Sequence, residues 1–191
     1  RTGESNLGNL IADAMIAATG ADAALTNGGG IRASIEAGDI TKGDIITVLP
    51  FGNYIVTIEA TGAEILAALQ LGAGDYPEPK GAFPHVAGIR FSIDPAKPKG
   101  EKVHSVLIGG EPLILDKTYV LATNDFIAAG GDEYVMFADN PITGHFSSLD
   151  EAVIEYLAKG GAAVAVEGRV SVQTAGGAAD ETAKGTADDR A

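Results

Sequence analysis

The sequence predicts an α+β domain, a mixed sheet with packed helices and hairpins. Three observations point there. Segments with apolar residues at helical spacing are interspersed with short runs rich in β-branched and aromatic residues. Helix-start signals recur at Thr41, Thr61 and Ser148, each followed by an acidic residue within the first turn. Gly109-Gly110 separates two strand-like runs, as a two-residue hairpin turn does. Hydrophobic residues make up 46% of the 191 residues and charged residues 20%. That is enough apolar surface for one domain with a core, and too much for global disorder.

In chain order, a helix is expected over Ser5 to Thr19, where Leu7, Leu10, Ile11, Ala14 and Met15 share a face and Gly20 provides the stop. Ala23 to Thr26 reads as a short apolar strand running into Asn27-Gly28-Gly29-Gly30. Thr41-Lys42-Gly43-Asp44 opens a helical turn before Val48-Leu49-Pro50-Phe51, and Tyr54 to Ala60 is a strand. Thr61-Gly62-Ala63-Glu64 is a capping box for a helix that buries Ile65, Leu66 and Leu69. Gly72 to Pro84, broken by Pro77 and Pro79, reads as loop. Ile89, Phe91 and Ile93 alternate as in a half-buried strand; Val103 to Ile108 and Glu111 to Leu115 form the hairpin arms; Tyr119 to Thr123 is a further strand. Ser148-Leu149-Asp150-Glu151 caps a helix ending near Lys159, and Val164 to Val172 is the last strand. The folded domain is therefore expected over 1–173. Residues 174–191, rich in Ala, Gly, Thr and Asp without a large apolar side chain, read as a disordered tail or linker.

Composition narrows function. A net charge of −13 opposes a polyanion such as nucleic acid, whereas one small nucleotide needs only one or two placed cations. There is no Cys, so disulfides, thiolate catalysis and Cys-ligated zinc are excluded. His85, His104 and His145 lie far apart, without metal-ligand spacing, and no apolar run approaches the roughly 18–20 residues of a membrane span. The opening at Arg1, without Met or leader, reads as an excised piece or mature fragment.

Four segments have the look of a site, each with a plainer alternative. In Asn27-Gly28-Gly29-Gly30-Ile31-Arg32, glycine N–H groups such as that of Gly29 could approach a ligand and Arg32 could reach an anion; the alternative is an ordinary glycine turn. Phe51, between Pro50 and Gly52, could offer its face to a base, yet on residue chemistry alone it reads first as a core plug. Beyond Phe126 and the Gly130-Gly131 pair, Asp132 could accept two sugar hydroxyls or cap its own turn. Asn6 and Asn9, in the opening Arg1-to-Leu10 segment, read first as helix-capping residues.

Taken in order, the strings ESNLGNLIADAM, TNGGGIRASI, GDIITVLPFGN, VAGIRFSID, NDFIAAGGDEY and the closing VEGRVSV resemble the C-terminal domain of the 5'-nucleotidase family, from Arg1 to about Val172. The family includes 5'-nucleotidases, UDP-sugar hydrolases and 2',3'-cyclic-nucleotide phosphodiesterases. The resemblance implies a substrate-recognition domain that binds a nucleoside or nucleotide. Phe51 and Phe126 would sandwich the base, Asp132 would hold the ribose hydroxyls, and Asn27, Arg32 and Arg1 would contact substrate. It also implies a metallophosphoesterase domain on the N-terminal side, holding two divalent metal ions, and an extracellular, cell-surface or periplasmic location. The metal-domain signatures are absent here, so no catalytic residue, metal ligand or cofactor is assigned to this chain, which should be inactive alone. Two alternatives remain: a domain from a thiosulfate-oxidising relative with the same domain pair, and a surface-displayed binding module that ignores nucleotides.

Overall fold

The computed structural model describes residues 1–161 and 165–173. The predicted tail lies outside the described residues. In chain order the elements are α1 (Asn6–Thr19), β1 (Ala23–Asn27), a 3-10 turn (Gly28–Gly30), α2 (Lys42–Val48), β2 (Tyr54–Thr61), α3 (Gly62–Ala73), β3 (Pro84–Ala87), β4 (Ile89–Ile93), β5 (Val103–Ile108), β6 (Glu111–Pro112), β7 (Thr118–Asn124), α4 (Asp125–Ala128), 3-10 turns at Gly131–Glu133 and Val135–Phe137, β8 (Ile142–Ser148), α5 (Leu149–Ala158) and β9 (Val170–Val172).

Local chemistry explains the helix ends. Ser5 Oγ accepts from the Gly8 N–H at 3.1 Å, and left-handed Gly20 closes α1 by donating to the Ile16 carbonyl. Thr41 with Asp44, and Thr61 with Glu64, form complete capping boxes. Ser148 differs: it is the N-cap of α5, but its side chain makes no capping bond.

The strands form two mixed sheets. The first has the order β3-β1-β7-β2-β8, parallel only between β1 and β7; the second has the order β6-β5-β4-β9, parallel only between β4 and β9. Gly109 and Gly110, both at positive φ, make the tight β5–β6 turn. β1 is buried along its whole length and separates two cores. On one side Ala24, Ile55 and Ala122 meet α1, α2 and α5; on the other Leu25, Val56, Ile58 and Leu121 meet α3 and the second sheet. Ile55 and Val56 face opposite ways because strand side chains alternate.

Four sequence expectations need correction. β8 is absent from the sequence reading. β3 begins at Pro84 inside the predicted loop, and α3 runs on to Ala73. The second hairpin arm pairs only at Glu111–Pro112. The last strand pairs only at Val170–Val172, beside β4; residues 162–164 are outside the described set, and Val166 is exposed.

Candidate functional site

Strand polarity brings four loops to one end of the first sheet. β1 and β7 are parallel neighbours, with Ala23 opposite Leu121, so Asn27 and Asn124 end their strands side by side. β2 and β3 run antiparallel to them. Ile55 pairs with Asn124 and Pro84 with Asn27, so the segments that precede β2 and β3 arrive at the same end. Phe51 and Asn53 come in on the first segment, Lys80 and Gly81 on the second. α4, directly after β7, carries Phe126.

A cavity of about 400 Å³ opens there, within the range of small-ligand sites. Arg1, Asn27, Gly29, Arg32, Phe51, Phe126 and Asp132, all expected from the sequence, line it. Phe51 is 62% exposed and Phe126 44%, so neither is a core plug, and the plainer reading of Phe51 is overturned. The ring pairs in contact among the described residues are Phe83–His85 and Tyr134–Phe137; Phe51 and Phe126 do not touch each other. The Arg32 guanidinium carbon lies 5.9 Å from the Phe51 ring centre, at the outer limit of a cation–π contact.

Amide side chains organise the floor. Asn124 Nδ2 donates to Asn27 Oδ1 at 3.3 Å, and Asn27 Nδ2 donates to Asp132 Oδ2 at 2.6 Å. Asn124 Oδ1 accepts from the Ile127 N–H and thereby caps α4. Asn27 is thus fixed with its amide hydrogens toward the carboxylate. Among the described residues Asp132 has no other hydrogen-bond partner, so it does not cap its own turn, and its Oδ1 remains an open acceptor. Asp132 and Glu133 both sit at positive φ, 50° and 71°, an uncommon conformation for side-chain-bearing residues that collects at functional sites.

The glycine turn works differently from the expectation. The Gly28 N–H donates to the Phe83 carbonyl at 2.8 Å and the Gly29 N–H to the Gly81 carbonyl at 2.7 Å, so both donors are consumed within the protein. A Cβ on Gly29 would lie 3.1 Å from the Gly81 oxygen and 3.2 Å from Asp132 Oδ2. Gly29 therefore serves close packing beneath the cavity rather than an N–H cradle.

Gly30, Asn53 and Gly81 complete the lining; sequence reasoning reached the first two only as members of candidate segments and missed Gly81. Asn53 stands two residues after Phe51 in a segment already singled out, and its Nδ2 donates to Asp125 Oδ1 at 2.8 Å, tying together the two loops that carry the aromatics. Gly81 sits in a Pro- and Gly-rich loop that gives no local sign of its destination. Its neighbour Lys80 reaches Asp75 at 3.4 Å and Glu133 at 3.6 Å. Glu4 and Asn9 serve the fold: Asn9 Nδ2 donates to Glu4 Oε1 and to the Ala165 carbonyl, and Glu4 accepts from the N–H groups of Glu167 and Val170. A larger opening of about 700 Å³ shares Arg1 and Arg32 but is lined beyond them by a mixture of aliphatic side chains such as Leu7, Leu10 and Ile35 and polar ones such as Ser5, Asn6 and Glu36, without Phe, Tyr or Trp. Among the described residues no group of three or more His, Asp or Glu side chains could hold a metal ion, so the donors present do not fit one.

The family described as 5'-nucleotidase, C-terminal domain, matches residues 1–139. The chain belongs to that family. It is 43% identical over 182 residues to the trifunctional nucleotide phosphoesterase protein YfkN of Bacillus subtilis (strain 168), covering 89% of this chain and 12% of YfkN. The crystal structure of the 5'-nucleotidase precursor from Thermus thermophilus matches this 5'-nucleotidase C-terminal domain with a TM-score of 0.83 at 40% identity, covering 88% of this chain and 35% of that one. The sulfate thiohydrolase SoxB from Thermus thermophilus shares the fold alone, with a TM-score of 0.69 at 22% identity over 88% of this chain and 32% of that one. The domain thus spans about a third or less of the length of each of these relatives. Among the described residues no helix is long and apolar enough to cross a membrane.

Proposed function

We propose that this domain recognises the nucleoside part of a nucleotide within a larger 5'-nucleotidase-type phosphoesterase. One observation carries the reading. Two exposed, non-touching phenyl rings line a cavity of about 400 Å³ that also presents a carboxylate with an open oxygen and two arginines. The base stacks between Phe51 and Phe126. Asp132 accepts the ribose hydroxyls, an arrangement that suits an acceptor-only group facing two neighbouring donors. Arg32 and Arg1 offset phosphate charge in a protein of net charge −13. Asn27 holds Asp132, and Gly29 gives it room.

Hydrolysis belongs to a metallophosphoesterase domain on the N-terminal side, which holds the two divalent ions. Alone, this chain binds and does not hydrolyse. The description of the Thermus thermophilus 5'-nucleotidase as a precursor supports an exported protein, periplasmic, cell-surface or extracellular.

Calorimetric titration of the chain with adenosine tests the reading. Phe51→Ala and Phe126→Ala should each weaken binding by about 1–3 kcal/mol, the usual worth of stacking a base. Both should unfold near the wild-type temperature, since a core Phe truncation would cost about 3–5 kcal/mol. Wild type that binds no nucleoside would move the domain to a relative of this fold with another ligand, and collapse of both variants would return the rings to the core.

A further inference from the structure

Phe126 does not hang free in its loop. An ideal Cβ built on Gly131 would lie 2.6 Å from each of three Phe126 ring carbons, Cδ2, Cε1 and Cε2. Near-equal distances to atoms around the ring mean that the Gly131 Cα lies against the ring face, not its edge. No side chain of any size fits between them.

The backbone of Gly131 is held from both sides. Gly130, at φ 88°, donates its N–H to the Ile127 carbonyl at 2.9 Å, and the Gly131 carbonyl accepts from the Tyr134 N–H at 3.1 Å. Tyr134 is fully buried, stacks on Phe137 with ring centres 6.0 Å apart, and donates its hydroxyl to the Ala82 carbonyl. The next residue is Asp132, whose carboxylate is tied to Asn27. Ring, bare Cα and carboxylate therefore form one short unit with anchors at both ends.

We infer that Gly131 is a positioning residue for the aromatic site: its bare Cα seats one face of Phe126, leaving only the opposite face for a planar ligand and fixing that face relative to Asp132. This rests on the nucleoside reading of the cavity. The three atoms nearest to that Cβ all belong to the half-exposed ring, so a methyl group at position 131 turns Phe126 aside rather than unfolding the turn. Gly131 lies outside the left-handed region, so Ala is compatible with its backbone.

The test uses the 191-residue chain and two readouts. The first needs no ligand. A ring seated face-on moves the Gly131 Hα resonances upfield in a proton NMR spectrum, and Phe126→Leu abolishes the shift. The second is adenosine affinity. Gly131→Ala should weaken it roughly 5- to 30-fold, within the range expected for lost stacking, at an unchanged melting temperature. In a Phe126→Ala background, Gly131→Ala should add almost nothing, because both changes act through the same ring. Absence of the upfield shift overturns the seat and leaves the nucleoside reading standing. So does wild-type affinity in Gly131→Ala, or full additivity of the two changes. If the shift is present but wild type binds no adenosine, the nucleoside reading falls and the positioning role falls with it.

Discussion

Two partly buried polar clusters hold this domain together, and they end differently. At β9, Arg169 is 7% exposed and saturated: its guanidinium meets Asp13 and Glu167 and donates to the Val86 carbonyl, all within 2.8–3.1 Å. At the cavity, the chain from Asn124 through Asn27 to Asp132 stops with a carboxylate oxygen unpaired among the described residues and a residue at φ 50°. A cluster that staples elements together uses every donor it has. A cluster that serves a ligand keeps one acceptor open and tolerates backbone strain to aim it. The difference tells the saturated cluster from the open one better than burial does, since Asn27 and Asn124 are as buried as Arg169.

The sharpest way to break the comparison is to cut the saturated cluster. Arg169→Leu leaves the Asp13 and Glu167 carboxylates and the Val86 carbonyl without their shared donor. Breaking a buried pair costs about 3–5 kcal/mol, and the partial exposure of Asp13 and Glu167 argues for the lower end. Urea unfolding should show that loss, while adenosine binding by the folded fraction stays at wild-type affinity. A large affinity loss would mean that the two clusters are coupled.

A second experiment concerns the seam between them. His85 is 4% exposed; Gly8 of α1 lies against its ring, and a Cβ on Gly28 would lie 3.3 Å from its Nε2, while its Nδ1 is buried without a hydrogen-bond partner among the described residues. Desolvation is the largest cause pushing its pKa down from 6.5 to about 4, and the charge of Glu4 opposes it. Above pH 6.5 the imidazole is neutral in both states and contributes no pH dependence. Between 6.5 and about 4 the unfolded chain binds the proton more tightly, so stability falls as the pH falls, by roughly 3 kcal/mol in total, and levels off below 4. His85→Gln should flatten this part of a urea-midpoint profile. A profile of the same slope in both proteins would assign the acid sensitivity to other groups.

These contrasts also show what a sequence reader can reach. Thr41 with Asp44, Thr61 with Glu64, and Gly109-Gly110 act within four residues, so their chemistry is visible in the string. β8 was invisible because Ile142–Ser148 is an edge strand with little burial and a glycine in its middle, and β3 because Pro84–Ala87 gains its partners only from β1. Val164 to Val172 reads as a longer strand because its valines alternate, yet among the described residues pairing with β4 begins only at Val170, although β4 starts two positions earlier at Ile89; Gly168, at φ 72°, takes the backbone out of the extended conformation just before. At the cavity, residue types were readable and geometry was not. Phe51 as core plug or exposed ring, Gly29 as N–H donor or packing wedge, and Gly81 as a wall all depend on which strand ends lie side by side.

The smallest effect is the most specific to the open cluster. Asp132→Asn keeps the shape, and Asn tolerates positive φ about as well as Asp, so the turn should stay folded. An amide oxygen can still accept from Asn27 Nδ2, which points the new NH₂ group toward the cavity where an acceptor stood. A hydroxyl that donated to the carboxylate loses a charge-assisted bond, worth about 1.5–3 kcal/mol. In wild type, adenosine should therefore bind about tenfold more tightly than 2'-deoxyadenosine, which has one donor fewer. In Asp132→Asn the gap should shrink toward parity, with the stacking contribution intact. Paired calorimetric titrations of both ligands on both proteins decide it: equal binding by wild type, or a gap that survives the substitution, would place ribose recognition elsewhere and leave the open oxygen of Asp132 without a task.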